Sequence, residues 1–139
     1  MTTPDPRDKT QTPITESSKV ILIVEDDPVL LKMYSEKFTF EGFKVLNAKD
    51  GEEALKIATS EELDAILLDI MLPRMSGTDF LEKFRGNAKG NDIPVVALTN
   101  LTEEGEKQRA LKLGVKAYLV KAMQTPEDVV EKIKASLTP

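Results

Sequence analysis

Five polar residues whose side chains suit phosphate chemistry follow short apolar runs in this chain: Glu25, Asp26, Asp69, Thr99 and Lys121. A carboxylate can attack phosphorus to form an acyl phosphate, and the remaining work of that reaction is to position groups and neutralise charge. Crowded carboxylates repel one another, and a divalent cation resolves that conflict. Mg²⁺ fits best, because it takes one or two carboxylates together with water and a phosphate oxygen. The set therefore predicts a magnesium-dependent phosphoryl-transfer site.

The expected tasks differ among these residues. Asp69 follows four apolar residues, so its backbone should be buried while its carboxylate emerges at the end of a strand, which suits a nucleophile. Lys121 supplies a point charge for the transferred group, and the hydroxyl of Thr99 can donate a hydrogen bond to one of its oxygens. Asp27 is different, because an aspartate directly before Pro28 is typical of a helix N-cap.

The apolar runs alternate with stretches of helical periodicity, which is typical of βαβ units with a parallel sheet. The first run has no polar residue, as expected for a strand that helices cover on both faces. Ligands of such sheets bind outside the carboxyl ends of the strands, so the polar residues should converge on one crevice. Five strands are predicted, at Val20–Val24, Phe43–Ala48, Ala65–Leu68, Pro94–Thr99 and Tyr118–Lys121.

Five helices are predicted to follow these strands, four of them from capping signals. Serine, threonine and aspartate accept hydrogen bonds from the free N–H groups of a first turn, and glycine adopts the left-handed conformation that often follows a last turn. Four helix starts are marked in this way, by Asp27-Pro28, by Ser76-Gly77-Thr78-Asp79, which resembles a capping box, by Thr102 and by Thr125-Pro126. The remaining helix, over roughly Gly51 to Ser60, is predicted from its apolar stripe, and the first and fourth helices end near Gly42 and Gly114.

Composition narrows the possible functions. The chain has 139 residues with 19 basic and 24 acidic side chains, so one domain is expected, and direct nucleic-acid binding, which needs a cationic surface, is not. Without cysteine or histidine it lacks the usual ligands of zinc, copper and iron, and it cannot itself be a histidine kinase. No apolar run could span a membrane, so a cytoplasmic protein is expected. Residues 1–19 are predicted to be a disordered lead to a domain over 20–139.

Four motifs resemble those of the receiver domain of bacterial response regulators. They are ILIVEDDP at 21–28, LLDIMLPRMSG at 67–77, VALTN at 96–100 and YLVKA at 118–122, and the resemblance extends from Lys19 to Leu137. It implies an α/β fold of the flavodoxin-like (βα)5 type, a three-layer sandwich with five parallel strands in the order 2-1-3-4-5, as in chemotaxis receivers. It also implies a signalling domain with at most self-phosphorylation and self-dephosphorylation, rather than an enzyme.

The resemblance implies a role for each residue near the acceptor. Asp69 would be the phosphoacceptor, supplied by a sensor histidine kinase or a phosphotransfer protein. Asp26 and Asp69 would bind Mg²⁺ through their side chains, Met71 through its backbone carbonyl, and Glu25 mostly through water.

The output implied by the resemblance passes through Thr99 and Tyr118. Thr99 would move toward the acyl phosphate and Tyr118 would turn inward, which changes the face made by the fourth helix, the fifth strand and the fifth helix. Considered alone, Tyr118 is as consistent with an ordinary half-buried strand aromatic, and only its spacing from Lys121 favours a switch. Since no output domain is expected after Pro139, the signal would pass to an unknown downstream protein, from a monomer or from a dimer formed on phosphorylation.

Three positions bear on how the site would work. Ala122 stands where the family usually has proline after a cis bond, and because a cis bond without proline costs about 2.5–4 kcal/mol, the Lys121–Ala122 bond is predicted to be trans. Asn100 replaces the smaller residue that many receivers carry beside the acceptor, and it would narrow access for phosphodonors. Met71 and Leu101 flank the site, and neither can orient an attacking water, so slow self-dephosphorylation is predicted.

Three other functions match parts of the pattern. A haloacid dehalogenase-type phosphatase also uses an aspartyl nucleophile with Thr, Lys and Mg²⁺, but it carries the nucleophile on the first strand as Asp-x-Asp and has a cap insertion. A flavodoxin-like electron carrier needs a hydroxyl-rich phosphate loop after the first strand, where this chain has Glu25-Asp26-Asp27. A receiver-like scaffold that works without phosphorylation stays open because of Ala122, although the three acids, Thr99 and Lys121 are all retained.

Overall fold

Strands and helices alternate along the chain in the computed structural model, which describes residues 18–86, 92–100 and 104–137. Within these ranges there are five strands and five helices. The strands are β1 (Val20–Val24), β2 (Lys44–Ala48), β3 (Ala65–Leu68), β4 (Val95–Thr99) and β5 (Ala117–Val120). The helices are α1 (Pro28–Phe40), α2 (Gly51–Ser60), α3 (Gly77–Arg85), α4 (Glu104–Lys112) and α5 (Pro126–Leu137), and a 3₁₀ turn spans Lys121–Met123.

The strands form one parallel sheet in the order β2-β1-β3-β4-β5. This is the predicted order of a flavodoxin-like sandwich. The order reverses between β1 and β3, because the chain leaves β1 for β2 on one side and later returns to β3 on the other. The carboxyl ends of β1 and β3 therefore flank the point where open α/β sheets bind their ligands.

Helices cover both faces of the sheet, which explains the continuously apolar strands. Alternate residues of β1 and β3 point to opposite faces, so each face receives its own set of apolar side chains. One face packs on α2, α3 and α4 through Ala54, Ala58, Phe80, Leu81, Phe84 and Ala110. The other packs on α1 and α5 through Tyr34, Phe38, Val129, Val130 and Ile133. The predicted three layers are thus two helical layers around one sheet.

The predicted caps form where they lie among the described residues. Asp27 Oδ1 accepts hydrogen bonds from the N–H groups of Val29 and Leu30, and Ser76 Oγ accepts one from Asp79 N–H. The predicted cap of the fourth helix, Thr102, lies outside the described residues.

The start of the last helix and the ends of the first and fourth helices also agree with the prediction. Thr125 and Asp128 cap α5 reciprocally, each side chain accepting a hydrogen bond from the other residue's backbone N–H. Gly42 and Gly114, after α1 and α4, adopt φ angles of 100° and 85° that favour glycine.

Three strands differ from the prediction, each by one residue at a boundary and β5 at both ends. Phe43 lies before β2, because its N–H donates to the Phe38 carbonyl at the end of α1 rather than to the sheet. Pro94 precedes β4, and it has no N–H to donate to a ladder. Strand β5 is Ala117–Val120, and Lys121 opens the 3₁₀ turn, its carbonyl accepting a hydrogen bond from Gln124.

The predicted lead and the membrane expectation can be compared with the structure only in part. Of the predicted disordered lead, residues 1–17 lie outside the described ranges, while the Lys19 carbonyl accepts a hydrogen bond from Lys44 N–H. None of the helices in the described ranges is both long and apolar enough to cross a membrane.

Arg85 links three elements at the edge of the sheet opposite to the predicted site. Its Nε donates to the carbonyl of Leu113 at 3.0 Å, its Nη1 to that of Ile93 at 2.7 Å and its Nη2 to that of Gly114 at 3.4 Å. Burial lowers the pKa of this guanidinium below its ordinary value. Arg85 therefore ties the end of α3 to the segments that lead into β4 and β5.

Replacing Arg85 with methionine should lower the free energy of unfolding by about 2 kcal/mol, because the apolar stem stays while three carbonyls lose a donor. Urea denaturation followed by circular dichroism measures this loss. The matched control is Lys83→Met, two residues earlier on an exposed position of α3, which should change stability by less than about 0.5 kcal/mol. Equal losses in both variants would contradict the role given to Arg85.

Candidate functional site

The acidic residues meet at the carboxyl ends of β1 and β3. These strands are adjacent with Val24 paired to Leu68, so Glu25 and Asp69 leave the sheet at equivalent positions. One carboxylate oxygen from each of Glu25, Asp26 and Asp69 lies within 4.8 Å of the other two. Glu25 and Asp69 are 3% and 4% exposed, whereas Asp26 faces solvent. The structure thus assembles one open and two buried carboxylates in a single pocket.

Lys121 reaches this pocket from the end of β5. Its Nζ lies 2.7 Å from Glu25 Oε1 and 2.9 Å from Asp69 Oδ2, so one ammonium bridges both buried carboxylates. The Lys121–Ala122 bond is trans, as predicted, and no cis bond occurs in the described ranges. The chain turns after β5 without proline and still directs Lys121 to Asp69.

The remaining oxygens of the two buried carboxylates accept backbone hydrogen bonds. Asp69 Oδ1 accepts one from Met71 N–H at 3.0 Å, and Glu25 Oε2 accepts one from Asp27 N–H at 3.0 Å. Both carboxylates are therefore fixed in orientation, each by one backbone donor and by Lys121. Glu25, which the resemblance treats as a water-mediated metal ligand, is in direct contact with the lysine.

Burial and charge act in opposite directions on these groups. Burial raises the pKa of Asp69 and of Glu25, and the hydrogen bonds and charge of Lys121 offset only part of that rise. Burial alone would lower the pKa of Lys121, but the two carboxylates together raise it. When all three acids are ionised, one ammonium faces three carboxylates, which leaves an excess of negative charge. A hard divalent cation such as Mg²⁺ fits this oxygen donor set.

Thr99 and Tyr118 lie on the neighbouring strands β4 and β5. Thr99 is the last residue of β4, is fully buried, and is paired with Val120, the residue before Lys121. Tyr118 is half-buried and packs against the face that α2, α3 and α4 cover. Asn100 is exposed directly after Thr99, and Leu101 lies outside the described residues. The structure brings Glu25, Asp26, Asp69 and Lys121 into contact range, with Thr99 at the same edge.

Sequence reasoning missed the anchoring of the loop after Asp69. Arg74 in that loop has a positive φ of 65° and forms an ion pair with Asp50 at the start of α2. Arginine carries no sequence signal for a left-handed backbone, and Asp50 lies 24 residues away. The Ser76-Gly77 pair indicated only that a helix begins there.

Comparison with known proteins agrees with this geometry. The family model described as "Response regulator receiver domain" matches residues 21–134. The polar-differentiation response regulator DivK of Brucella ovis is 31% identical over 120 residues, which cover 86% of this chain and 97% of DivK. A probable transcriptional regulator, ycf27 of Guillardia theta, is 33% identical over 88% of this chain. The match covers 46% of ycf27, and the chain spans about half the length of the first curated relatives it matches.

Solved structures of receiver domains share the fold. A CheY-like receiver domain from Methanospirillum hungatei has a TM-score of 0.82 and 34% identity, covering 87% of this chain and 94% of that one. The receiver domain of the sensor histidine kinase PA1611 from Pseudomonas aeruginosa has a TM-score of 0.79 and 27% identity, covering 87% and 98%. That second structure has a magnesium ion coordinated in its active-site cleft.

The raised pKa of Asp69 predicts how its charge affects stability. A carboxyl group whose pKa is raised by folding contributes stability that is fully present below its unfolded pKa of 3.8 and is lost as the pH rises through the folded value. Asp69→Asn should therefore raise the free energy of unfolding at pH 7 in the absence of Mg²⁺. The gain should shrink as the pH falls toward 4, which urea denaturation across this range measures.

Asp128→Asn is the matched control, because hydrogen bonds from Thr125 lower the pKa of Asp128 on α5 and reverse the sign. That variant should gain no stability at pH 7. A gain of equal size in both variants would contradict the conclusion that the buried charge of Asp69 destabilises the fold. A gain for Asp69→Asn that does not change with pH would contradict it as well.

Proposed function

The chain belongs to the response regulator receiver domain family of two-component systems, and we propose that Asp69 is the residue that accepts its phosphoryl group. The observation that carries this proposal is the position of the Asp69 carboxylate, 4% exposed at the end of β3 and held between Lys121 Nζ and Met71 N–H. Glu25 and Asp26 lie beside it. The family makes the chain a signalling domain rather than a classical enzyme.

The donor is a phosphohistidine on a sensor histidine kinase or on a phosphotransfer protein. A carboxylate oxygen of Asp69 attacks phosphorus, the bond from phosphorus to the imidazole nitrogen breaks, and the donor histidine keeps the electron pair and takes up a proton. The acyl phosphate that forms on Asp69 replaces one carboxylate charge by the charges of the phosphoryl oxygens. Lys121, already 2.9 Å from Asp69, is the cation within reach of them, and Thr99 at the same edge can donate its hydroxyl hydrogen to one.

The acidic pocket is the proposed magnesium site. Asp26 and Asp69 would bind Mg²⁺ through carboxylate oxygens and Met71 through its backbone carbonyl, while Glu25 contributes charge and water-mediated contact. When bound, the ion neutralises the phosphoryl oxygens and the crowded carboxylates. The donor set supports this, since three carboxylates share one lysine.

Phosphorylation changes the contacts that fix β4 and β5. Lys121 exchanges a carboxylate oxygen for phosphoryl oxygens, Thr99 moves toward the phosphoryl group, and Tyr118 turns inward on the side of α4. These movements shift the population of two arrangements of the face formed by α4, β5 and α5, which a downstream protein or a second copy of the chain recognises. The output depends on the fraction of chains in the arrangement that phosphorylation favours, so it lasts as long as the acyl phosphate does.

The rival functions lack support from the geometry. The phosphorylation-independent scaffold was suggested by Ala122, yet Lys121 contacts Asp69 with a trans bond before Ala122. A haloacid dehalogenase-type phosphatase would carry its nucleophile at the end of β1 in an Asp-x-Asp pair, but this chain has Glu25-Asp26-Asp27 there, and Asp27 is the N-cap of α1. We therefore retain the phosphoacceptor function alone.

Incubation with acetyl phosphate and Mg²⁺ should add a single phosphoryl group to the parent chain, measured by intact mass spectrometry. The adduct should be absent from Asp69→Asn, which removes the nucleophile, and absent when the metal is chelated. Asp27→Asn is the matched control, because asparagine caps a helix as well as aspartate does, and this variant should be phosphorylated like the parent. Failure to label the parent with acetyl phosphate or with a phosphorylated histidine donor would contradict the proposal.

Met71→Asn should shorten the lifetime of the phosphorylated state. The Met71 side chain is 58% exposed two residues beyond Asp69, and an amide there can hydrogen-bond a water where the thioether cannot. The decay of the adduct after removal of the donor should become about threefold faster or more. Met123→Asn, a change of the same kind at a residue that is 75% exposed, should leave the decay unchanged. Equal decay of the parent and Met71→Asn would contradict this expectation.

A further inference from the structure

The loop between β3 and α3 has an unusual backbone at its tip. Arg74 has a φ of 65°, and it is the one non-glycine residue with a positive φ in the described ranges. The left-handed region is unfavourable for residues with a Cβ, so the surrounding structure must hold Arg74 in place. The same loop begins with Ile70 and Met71, and the Met71 N–H donates a hydrogen bond to the Asp69 carboxylate.

An ion pair to α2 holds this tip. Arg74 Nη2 lies 2.9 Å from Asp50 Oδ2, and the Asp50 side chain is only 9% exposed. Asp50 is in turn fixed, because its Oδ1 accepts a hydrogen bond from Glu53 N–H as the N-cap of α2. The Arg74 side chain is 66% exposed, so its attachment rests on charge rather than on burial in the core.

Two glycines show how closely the loop is fitted to its neighbours. A Cβ on Gly51 would lie 2.4 Å from the Met75 carbonyl oxygen, next to the tip. A Cβ on Gly77 would lie 2.4 Å from the Asp69 carbonyl oxygen, and Gly77 N–H donates to the Ile70 carbonyl. The base of the loop therefore rests on the Asp69 backbone, and its tip rests on the start of α2.

We propose that Arg74 is a positioning residue for phosphoryl transfer: its ion pair with Asp50 holds the loop over residues 70–76 so that the Met71 backbone faces the Asp69 carboxylate. This inference rests on the proposed function of Asp69. Without the ion pair the loop tip keeps its backbone packing on Gly51 but loses its side-chain attachment to Asp50, so the Met71 N–H and carbonyl are held less firmly in one orientation. Both the attacking carboxylate and the proposed Mg²⁺ ligand set are then less well ordered.

Substitutions at Arg74 separate the ion pair from backbone strain. Arg74→Ala removes the ion pair and keeps a Cβ in the left-handed region, whereas Arg74→Gly removes the ion pair and relieves the strain. Asp50→Asn removes the charge at the other end while an amide oxygen still caps α2. Lys56→Gln, which removes an exposed cation from α2, is the control for charge alone.

The experiment measures the rate of phosphorylation by acetyl phosphate over a range of Mg²⁺ concentrations. Arg74→Ala, Arg74→Gly and Asp50→Asn should each be slowed about tenfold, as expected for loss of a contact that orients a ligating residue, and each should need more Mg²⁺ for half-maximal rate. The double variant Arg74→Ala/Asp50→Asn should be no slower than either single variant, because the two residues act through one contact. Lys56→Gln should match the parent.

The outcomes separate this inference from the proposed function. Parent-like rates and Mg²⁺ dependence in Arg74→Gly and Asp50→Asn, with Asp69→Asn still unlabelled, would overturn the role of the ion pair and leave Asp69 as the acceptor. A slow Arg74→Ala beside a parent-like Arg74→Gly would show that the ion pair serves only to hold a strained backbone and is not needed to position Met71, which also overturns it. If no donor labels the parent, the proposed function and this inference fail together. Arg74→Gly keeps the comparison valid should Arg74→Ala fold poorly.

Discussion

The contact on which this site depends is the one between the ammonium of Lys121 and two buried carboxylates, Glu25 and Asp69. Each of these acids is almost excluded from water, and burying a charge is costly unless a partner neutralises it. A shared lysine only partly offsets that cost, since the pKa of both acids stays raised. A buried ion pair of this kind is therefore weak evidence for stability. The unbalanced negative charge is the feature that supports the proposed magnesium site.

The helices around the site differ in how many of their side chains are buried in the core. Phe80, Leu81 and Phe84 of α3 are buried in the core, whereas α4 buries Ala110 as its one fully covered side chain in the described ranges. The Arg109 guanidinium also attaches α4 to α3, through two carboxylates that are half or more exposed to solvent and through the buried Thr78 hydroxyl, to which it donates a hydrogen bond. Exposed ion pairs contribute little stability, so α4 is held mainly by polar contacts, whereas α3 is held by buried aromatic and aliphatic side chains. That difference is consistent with the proposed output through the face that includes α4.

Much of the fold was predictable from local patterns. Val20–Val24 is apolar throughout because helices cover both faces of β1, and Asp27 before Pro28 caps α1 as its type and position indicate. One misplaced boundary, the start of β2, was set by competition for a single hydrogen bond. Phe43 could have extended β2, but its N–H is used by the last turn of α1. No periodicity in the sequence records which of two nearby carbonyls a given N–H will choose.

Local patterns were enough to predict the alternation of strands and helices, most of the caps, the chemical types that gather at the carboxyl edge and the family to which the chain belongs. These features depend on neighbours within a few residues or on motifs in a fixed order. Three contacts became visible only in the folded chain: Lys121 bridges Glu25 as well as Asp69, Arg74 adopts a left-handed backbone against Asp50, and Arg85 joins three elements. Each of these contacts joins segments that are distant in sequence. Such segments come within contact distance only because of the order and register in which the strands pack.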